Sequence, residues 1–296
     1  MNTNRRRFLK QTTLATAGMG LVSVIPSNVW AANPAPSDQV NVALIGCRSM
    51  GFGILKHHLG NEGVNCLALC DVDENVLNER AAEVQKTFNQ TPKLYKDFRK
   101  VLEQKDIDAV IIGTPDHWHC LITVYALQAG KDVYVEKPMA NTIAECNIMV
   151  KAANHYNQIV QVGQQQRSGF VFQKSMELIK TGSIGTLRKV NMWANFGYGV
   201  GPEIVPDEPV PAGVDYDMWL GPAKERPFNK NRFHGSWRHF WDYGGGMFSD
   251  WGVHLLDVGL WTKDLVKAPE SALVNAINTF PEKRARETFD TMNVIY

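Results

Sequence analysis

Asp250 and His254 stand four residues apart on a stretch with helical periodicity, so they share one helix face. A histidine titrates near neutral pH and can take a hydroxyl proton, with a carboxylate to orient it. Lys137 lies between Glu136 and Pro138 at the end of an apolar run, where it faces a crevice rather than bulk solvent. A lysine cation there stabilises a developing alkoxide. Lys137, Asp250 and His254 are therefore the candidate catalytic residues for oxidation of an alcohol. Read alone, Asp250 and His254 could be a surface ion pair. Lys137, together with Gly244, Gly245 and Gly246 just before them, favours the chemical reading. A metal site is the poorer reading, because no third ligand stands at suitable spacing.

Alcohol oxidation needs a hydride acceptor. Gly46-Cys47-Arg48-Ser49-Met50-Gly51 follows a short apolar run and opens a helical one. A dinucleotide fingerprint uses its first glycine for a tight turn, its second for approach of the pyrophosphate, and its third for helix–strand packing. Here the first and third are present and Arg48 replaces the second. Asp71 closes the next apolar run, 25 residues after Gly46. A carboxylate there accepts ribose hydroxyls and repels a 2′-phosphate, which favours NAD. NADP stays open as the alternative, since the Arg48 guanidinium could reach a phosphate. Thr114-Pro115-Asp116-His117-Trp118-His119 and Glu136-Lys137 follow two further strand-like runs. Ligands of open α/β sheets bind beyond such strand ends. The candidate cofactor contacts are Gly46, Arg48, Ser49, Met50, Gly51, Asp71, Thr114, Pro115, Asp116, Trp118, His119, Glu136 and Lys137. For His117 and His119 a structural role is as plausible as a functional one, and Trp118 is as well suited to packing.

These residues need a scaffold that brings strand ends together. Apolar runs at 40–45, 64–70, 108–112, 132–135 and 159–162 read as strands. The run at 108–112 is apolar throughout, the pattern of a strand covered on both faces. Helical patterns lie between them at 52–59, 75–88, 95–102 and 120–128. A capping box, Thr142 to Glu145, opens another helix that runs to about 155. Such alternation predicts a doubly wound parallel sheet. The second half reads as a helix at 171–179, a strand at 187–195, a Pro-, Gly- and aromatic-rich connection at 200–235, a helix at 248–262 and strands at 271–280 and 292–296. Arg238 and Tyr243, within an aromatic and polar cluster at 233–243, are the candidate substrate contacts, with a packed loop core as the equal alternative. Aromatic faces suit the C–H faces of sugar rings.

Lys and Arg total 31 against 30 Asp and Glu, a net +1 that excludes a basic nucleic-acid binder. That balance is uneven. Residues 1–31 hold +4 from Arg5, Arg6, Arg7 and Lys10, leaving −3 for the rest. A basic start, a modest apolar run and Val29-Trp30-Ala31 make a signal peptide of twin-arginine type. The expected partner is the twin-arginine export machinery, and the expected location is periplasmic. The five cysteines, Cys47, Cys66, Cys70, Cys120 and Cys146, read as buried small hydrophobes.

In order, Gly46–Gly51, Asp71, Thr114-Pro115 with His119, Glu136-Lys137-Pro138, and Gly244-Gly245-Gly246 with Asp250 and His254 resemble the Gfo/Idh/MocA oxidoreductases. The resemblance runs from about Val40 to the end. It implies a fold of class α/β, with a Rossmann domain and an α/β domain built on an open, mostly antiparallel sheet. It also implies hydride transfer between a nicotinamide and a sugar or polyol carbon. Lys137, Asp250 and His254 take the family's catalytic positions, and Gln165 its contact near the nicotinamide. The expected organisation is a signal at 1–31, a linker at 32–38, an NAD-binding domain at 39–164 and a substrate and oligomerisation domain at 165–296. A large open sheet needs more strands than 271–296 supplies, so the second domain is expected to be cut short. An exposed sheet face would allow a homo-oligomer. Two activities fit: an NAD-dependent oxidoreductase on a sugar, glycoside or polyol, or an NAD-requiring glycosidase acting by transient oxidation. A non-catalytic NAD- or sugar-binding protein is disfavoured by the intact Lys–Asp–His set.

Overall fold

A computed structural model describes residues 38–195 and 200–296. The expected signal at 1–31 and most of the linker lie outside the described residues.

The parallel sheet forms as the alternation predicts. Its strands are β1 (Val40–Ile45), β2 (Val64–Cys70), β3 (Lys93–Tyr95), β4 (Ala109–Ile112), β5 (Asp132–Val135) and β6 (Val160–Val162), in the order β3-β2-β1-β4-β5-β6. Helices α1 (Ser49–Leu59), α2 (Glu74–Phe88), α3 (Phe98–Leu102), α4 (Asp116–Gln128) and α5 (Ile143–Tyr156) connect them. The strands carry near-continuous apolar sequence because both faces are covered. Leu44, Leu69 and Ile111 pack into one core with Leu55 and Val84 of the helices. Ile45, Val110, Ile112 and Val135 pack into the other with Ile122 and Leu127. Strand order reverses between β1 and β4, which opens a crevice at their carboxyl ends.

Several local expectations change. Strand β3, three residues long, was not read from the sequence. Residues 95–102 divide into its last residue and helix α3, whose N-terminus Asp97 caps by accepting the Arg99 N–H at 2.9 Å. Helix α4 starts at Asp116, not at 120, so Asp116 to His119 form its first turn. An acidic residue there complements the helix dipole. The capping box of α5 is present, with Thr142 N–H donating to Glu145 Oε2 at 2.9 Å.

The second half holds α6 (Phe170–Lys180), α7 (Tyr216–Leu220), a π-helical turn at Phe248–Gly252, α8 (Val253–Trp261), and an antiparallel pair, β7 (Leu273–Ile277) with β8 (Thr291–Ile295). The expected strand at 187–195 is absent. Its alternation is real, but no neighbouring strand pairs with it, and Val190, Met192 and Trp193 stay exposed. A third core is aromatic: Tyr216, Trp219, Phe228, Phe233, Trp237, Phe240 and Tyr243. Residues Val40–Tyr296 form one unit.

Candidate active site

The glycine turn after β1 is built by three glycines in contact. Gly46 has φ +89°, and a Cβ on it would lie 2.6 Å from Gly113 C. A Cβ on Gly113 would lie 2.5 Å from Gly51 Cα, and one on Gly51 would strike Gly46 O. Gly113 ends β4 and was not singled out from the sequence, although it follows an apolar strand as Gly46 does. Arg48 is the N-cap of α1 with φ −85° and ψ 166°. This extended conformation suits any residue, so the backbone itself does not require the glycine that Arg48 replaces. The first turn of α1, Ser49, Met50 and Gly51, presents the helix N-terminus where a pyrophosphate binds.

Asp71 sits at the end of β2, where Cys47 N–H donates to one carboxylate oxygen at 2.7 Å and Asp73 N–H to the other at 3.0 Å. Burial raises its pKa, against these two donors and the Arg48 cation. Gly46, Arg48, Ser49, Met50, Asp71, Thr114, Pro115, Asp116, Trp118, His119, Glu136, Lys137 and Arg238 line one continuous cleft. Lys96 and His234, which were not found from the sequence, line it too, as does Trp237 of the aromatic cluster. Lys96 is distant in sequence from His234 and Trp237, and only the fold brings them together. The three-glycine cradle and the Asp71 carboxylate fit a dinucleotide.

Some candidates also make bonds that hold the scaffold. Trp118 Nε1–H donates to Trp219 O at 3.0 Å, and His117 Nε2 lies 3.1 Å from the same oxygen, so both tie α4 to α7. Burial pushes His117 down to about 4. His119 lies between Pro138 O at 2.8 Å and Thr114 O at 2.9 Å, which fixes the strand ends after β4 and β5 to each other. Burial pushes it to about 4 as well. Its neutral ring has one N–H and can donate to only one of these carbonyls. Tyr243, an expected substrate contact, is instead wholly buried, with its ring centroid 4.8 Å from Trp219 and 5.2 Å from His117. Its apolar ring is worth more in that core than at a wet surface.

At the far end of the cleft, charges cluster. Lys137 Nζ donates to Asp250 Oδ1 at 2.6 Å and to Asp250 O at 2.9 Å. Arg238 Nε lies 3.0 Å from the same Oδ1, and its guanidinium stacks over Trp237 at 4.3 Å. Burial would push the Asp250 carboxyl up, but Arg238 and Lys137 outweigh it and hold the group below its ordinary value. His254 is buried edge-on to Trp251, and its Nδ1 has no hydrogen-bond partner. Burial and then the Lys137 charge lower its pKa, which favours the neutral ring. The Asp250 carboxylate meets both cations, Lys137 and Arg238. Asp250 lies in the π turn, and His254 lies in the first turn of α8. Gln165 Nε2–H donates to Glu136 Oε1 at 3.1 Å. Burial raises Glu136 to about 7, against the pull of Lys137. Burial also raises Asp116 well above the usual carboxylate range.

Residues 40–164 match a family model described as an oxidoreductase family with an NAD-binding Rossmann fold. Residues 171–285 match its C-terminal alpha/beta domain. A glycosyl hydrolase family 109 protein of Shewanella baltica is 33% identical over 171 residues, covering 51% of this chain and 37% of that protein. An alpha-N-acetylgalactosaminidase of Shewanella oneidensis is 31% identical over 163 residues, 49% of this chain and 36% of that one. The chain thus spans little more than a third of the length of these curated relatives. Among solved structures, the WlbA dehydrogenase of Bordetella pertussis, in complex with NADH and UDP-GlcNAcA, shares the fold. Its TM-score is 0.61 at 20% identity, over 86% of this chain and 66% of that one.

Proposed function

Because this chain belongs to the Gfo/Idh/MocA oxidoreductase family and binds NAD through its Rossmann domain, we propose that it transfers hydride between NAD and a hydroxyl-bearing carbon of a sugar, glycoside or polyol. The observation that carries this is the Lys137–Asp250 pair, which places a fixed ammonium at the cleft end of β5. Two of the Lys137 donors are taken by Asp250, and the third is left for a substrate oxygen. Lys137 stabilises that oxygen as its proton leaves. His254, neutral and with Nδ1 unpartnered, receives the proton. Asp250 holds Lys137 in place, and Arg238 holds Asp250 from the other side. NAD, when bound, would supply the hydride acceptor. Asp71 and the glycine turn bind the dinucleotide.

A second reading is favoured by the names of the relatives, a glycosyl hydrolase and an alpha-N-acetylgalactosaminidase. Transient oxidation beside a labile carbon acidifies a neighbouring C–H and permits elimination of the leaving group. Return of the hydride then closes the cycle with no net redox change. The basic segment at 1–31 supports export by the twin-arginine route to the periplasm, where free NAD is scarce and a retained cofactor is an advantage.

Incubation with a panel of aryl glycosides, free sugars and polyols separates the readings. Accumulating NADH indicates net oxidation. Aglycone release without NADH indicates the redox-neutral route. Full activity in both Lys137→Ala and His254→Ala would overturn the catalytic roles.

A further inference from the structure

The residues just after Asp71 are gripped twice by the second half of the chain. Asp215 N–H donates to Val72 O at 2.9 Å, Glu74 N–H donates to Gly213 O at 3.0 Å, and Asp73 bridges Val214 in antiparallel fashion. Independently, His234 Nε2 lies 2.7 Å from Asp73 Oδ2. Burial and the nearby Arg48 keep the His234 ring neutral, so Nε2–H donates to the carboxylate. His234 adopts φ +59°, a left-handed conformation that a residue other than glycine holds only when its surroundings fix it. It lines the NAD cleft together with Arg48 and Asp71.

Asp73 makes two further contacts. Its Oδ1 accepts the Asn75 N–H at 3.0 Å and caps α2, while its own N–H donates to Asp71 Oδ1 at 3.0 Å. One continuous run of bonds therefore joins the cofactor-facing carboxylate, the start of α2 and the loop that carries His234. This run lies at β2, three strand spacings from Lys137 at β5, or roughly 14 Å.

We propose that Asp73 and His234 form a clasp across the ribose end of the cleft that sets how long NAD stays bound. Both are positioning residues, acting through Asp71 and the loop around His234. The proposal rests on the NAD-binding domain and does not depend on the carbohydrate reading.

The test compares Asp73→Ser and His234→Asn. Serine still caps α2 but does not reach His234. Asparagine tolerates the left-handed backbone but is too short for the bond. Release of labelled NAD from the loaded full chain, chased with unlabelled NAD, is timed alongside the thermal midpoint of the nucleotide-free protein. Release about tenfold faster is expected in each variant, the factor a hydrogen bond to a charged group carries. The double variant should release no faster than either single one, because all three lack the same bond. Unchanged release in both variants overturns the proposal. So does faster release that is additive in the double variant and tracks a falling midpoint. No substrate enters the measurement, so failure of the carbohydrate assignment leaves its result intact.

Discussion

Lys137 is held at two points by one residue, Asp250, which lies 113 positions away in sequence. A side-chain oxygen and a backbone carbonyl of the same residue fix the ammonium in direction as well as in place. The pair is buried on both sides, so it is screened little by salt. An ammonium that is already oriented does not need to reorganise as charge develops on a substrate oxygen.

Replacing Lys137 by methionine keeps most of the side-chain volume and removes that charge. The expected loss in turnover is about 100- to 1,000-fold, the range for deleting one donor to a developing oxyanion. NAD affinity should change little if, as proposed, the glycine turn and Asp71 hold the dinucleotide. Pre-steady-state hydride transfer and NAD titration read the two effects apart. A loss confined to NAD affinity would move Lys137 from the chemistry to cofactor binding.

Glu136 carries a pH signature. Its ordinary value is 4.5, and burial lifts the folded-state value to about 7. Between those values the folded chain binds more protons than the unfolded chain. Stability therefore falls as pH rises through that window, by up to about 3 kcal/mol. Glu136→Gln can still accept the Gln165 N–H and carries no charge. The variant should match the parent below about pH 4.5 and be more stable than it above about pH 7, in proportion to the same window. Chemical denaturation at the two ends measures the difference. An equal offset at both would show that Glu136 titrates normally.

On the proposed reading, Asp71 and Arg48 would set opposite preferences at the ribose. With Asp71→Ala and Arg48 retained, the repulsion of a 2′-phosphate is gone and the cation remains. The ratio of NADP to NAD affinity should rise at least about tenfold, equivalent to about 1.4 kcal/mol. Calorimetric titration of both nucleotides checks it. An unchanged ratio would place the discrimination elsewhere.

The sequence made legible what local rules dictate. Gly46, Gly51 and Asp71 follow from a strand–turn–helix pattern, and the α5 capping box follows from two residues three apart. Tertiary placement was harder to read. Gly113 matters because it meets Gly51, and His234 because it meets Asp73. Neither contact leaves a mark on neighbouring residues. Tyr243 misled for a related reason, since an aromatic residue beside polar ones suits a sugar site and a packed core equally well. Residues 187–195 alternate like a strand, yet alternation describes a face and not the neighbour a strand must pair with.

The π turn at Phe248–Gly252 makes the geometry of the proton-handling residues a matter of counting. Its wider ring absorbs one residue more than a regular α-helical turn would hold. Removing a single residue from it would restore ordinary winding and swing Asp250 by about 100° around the axis relative to His254. The carboxylate would then leave Lys137 and Arg238 while the fold around it kept its core.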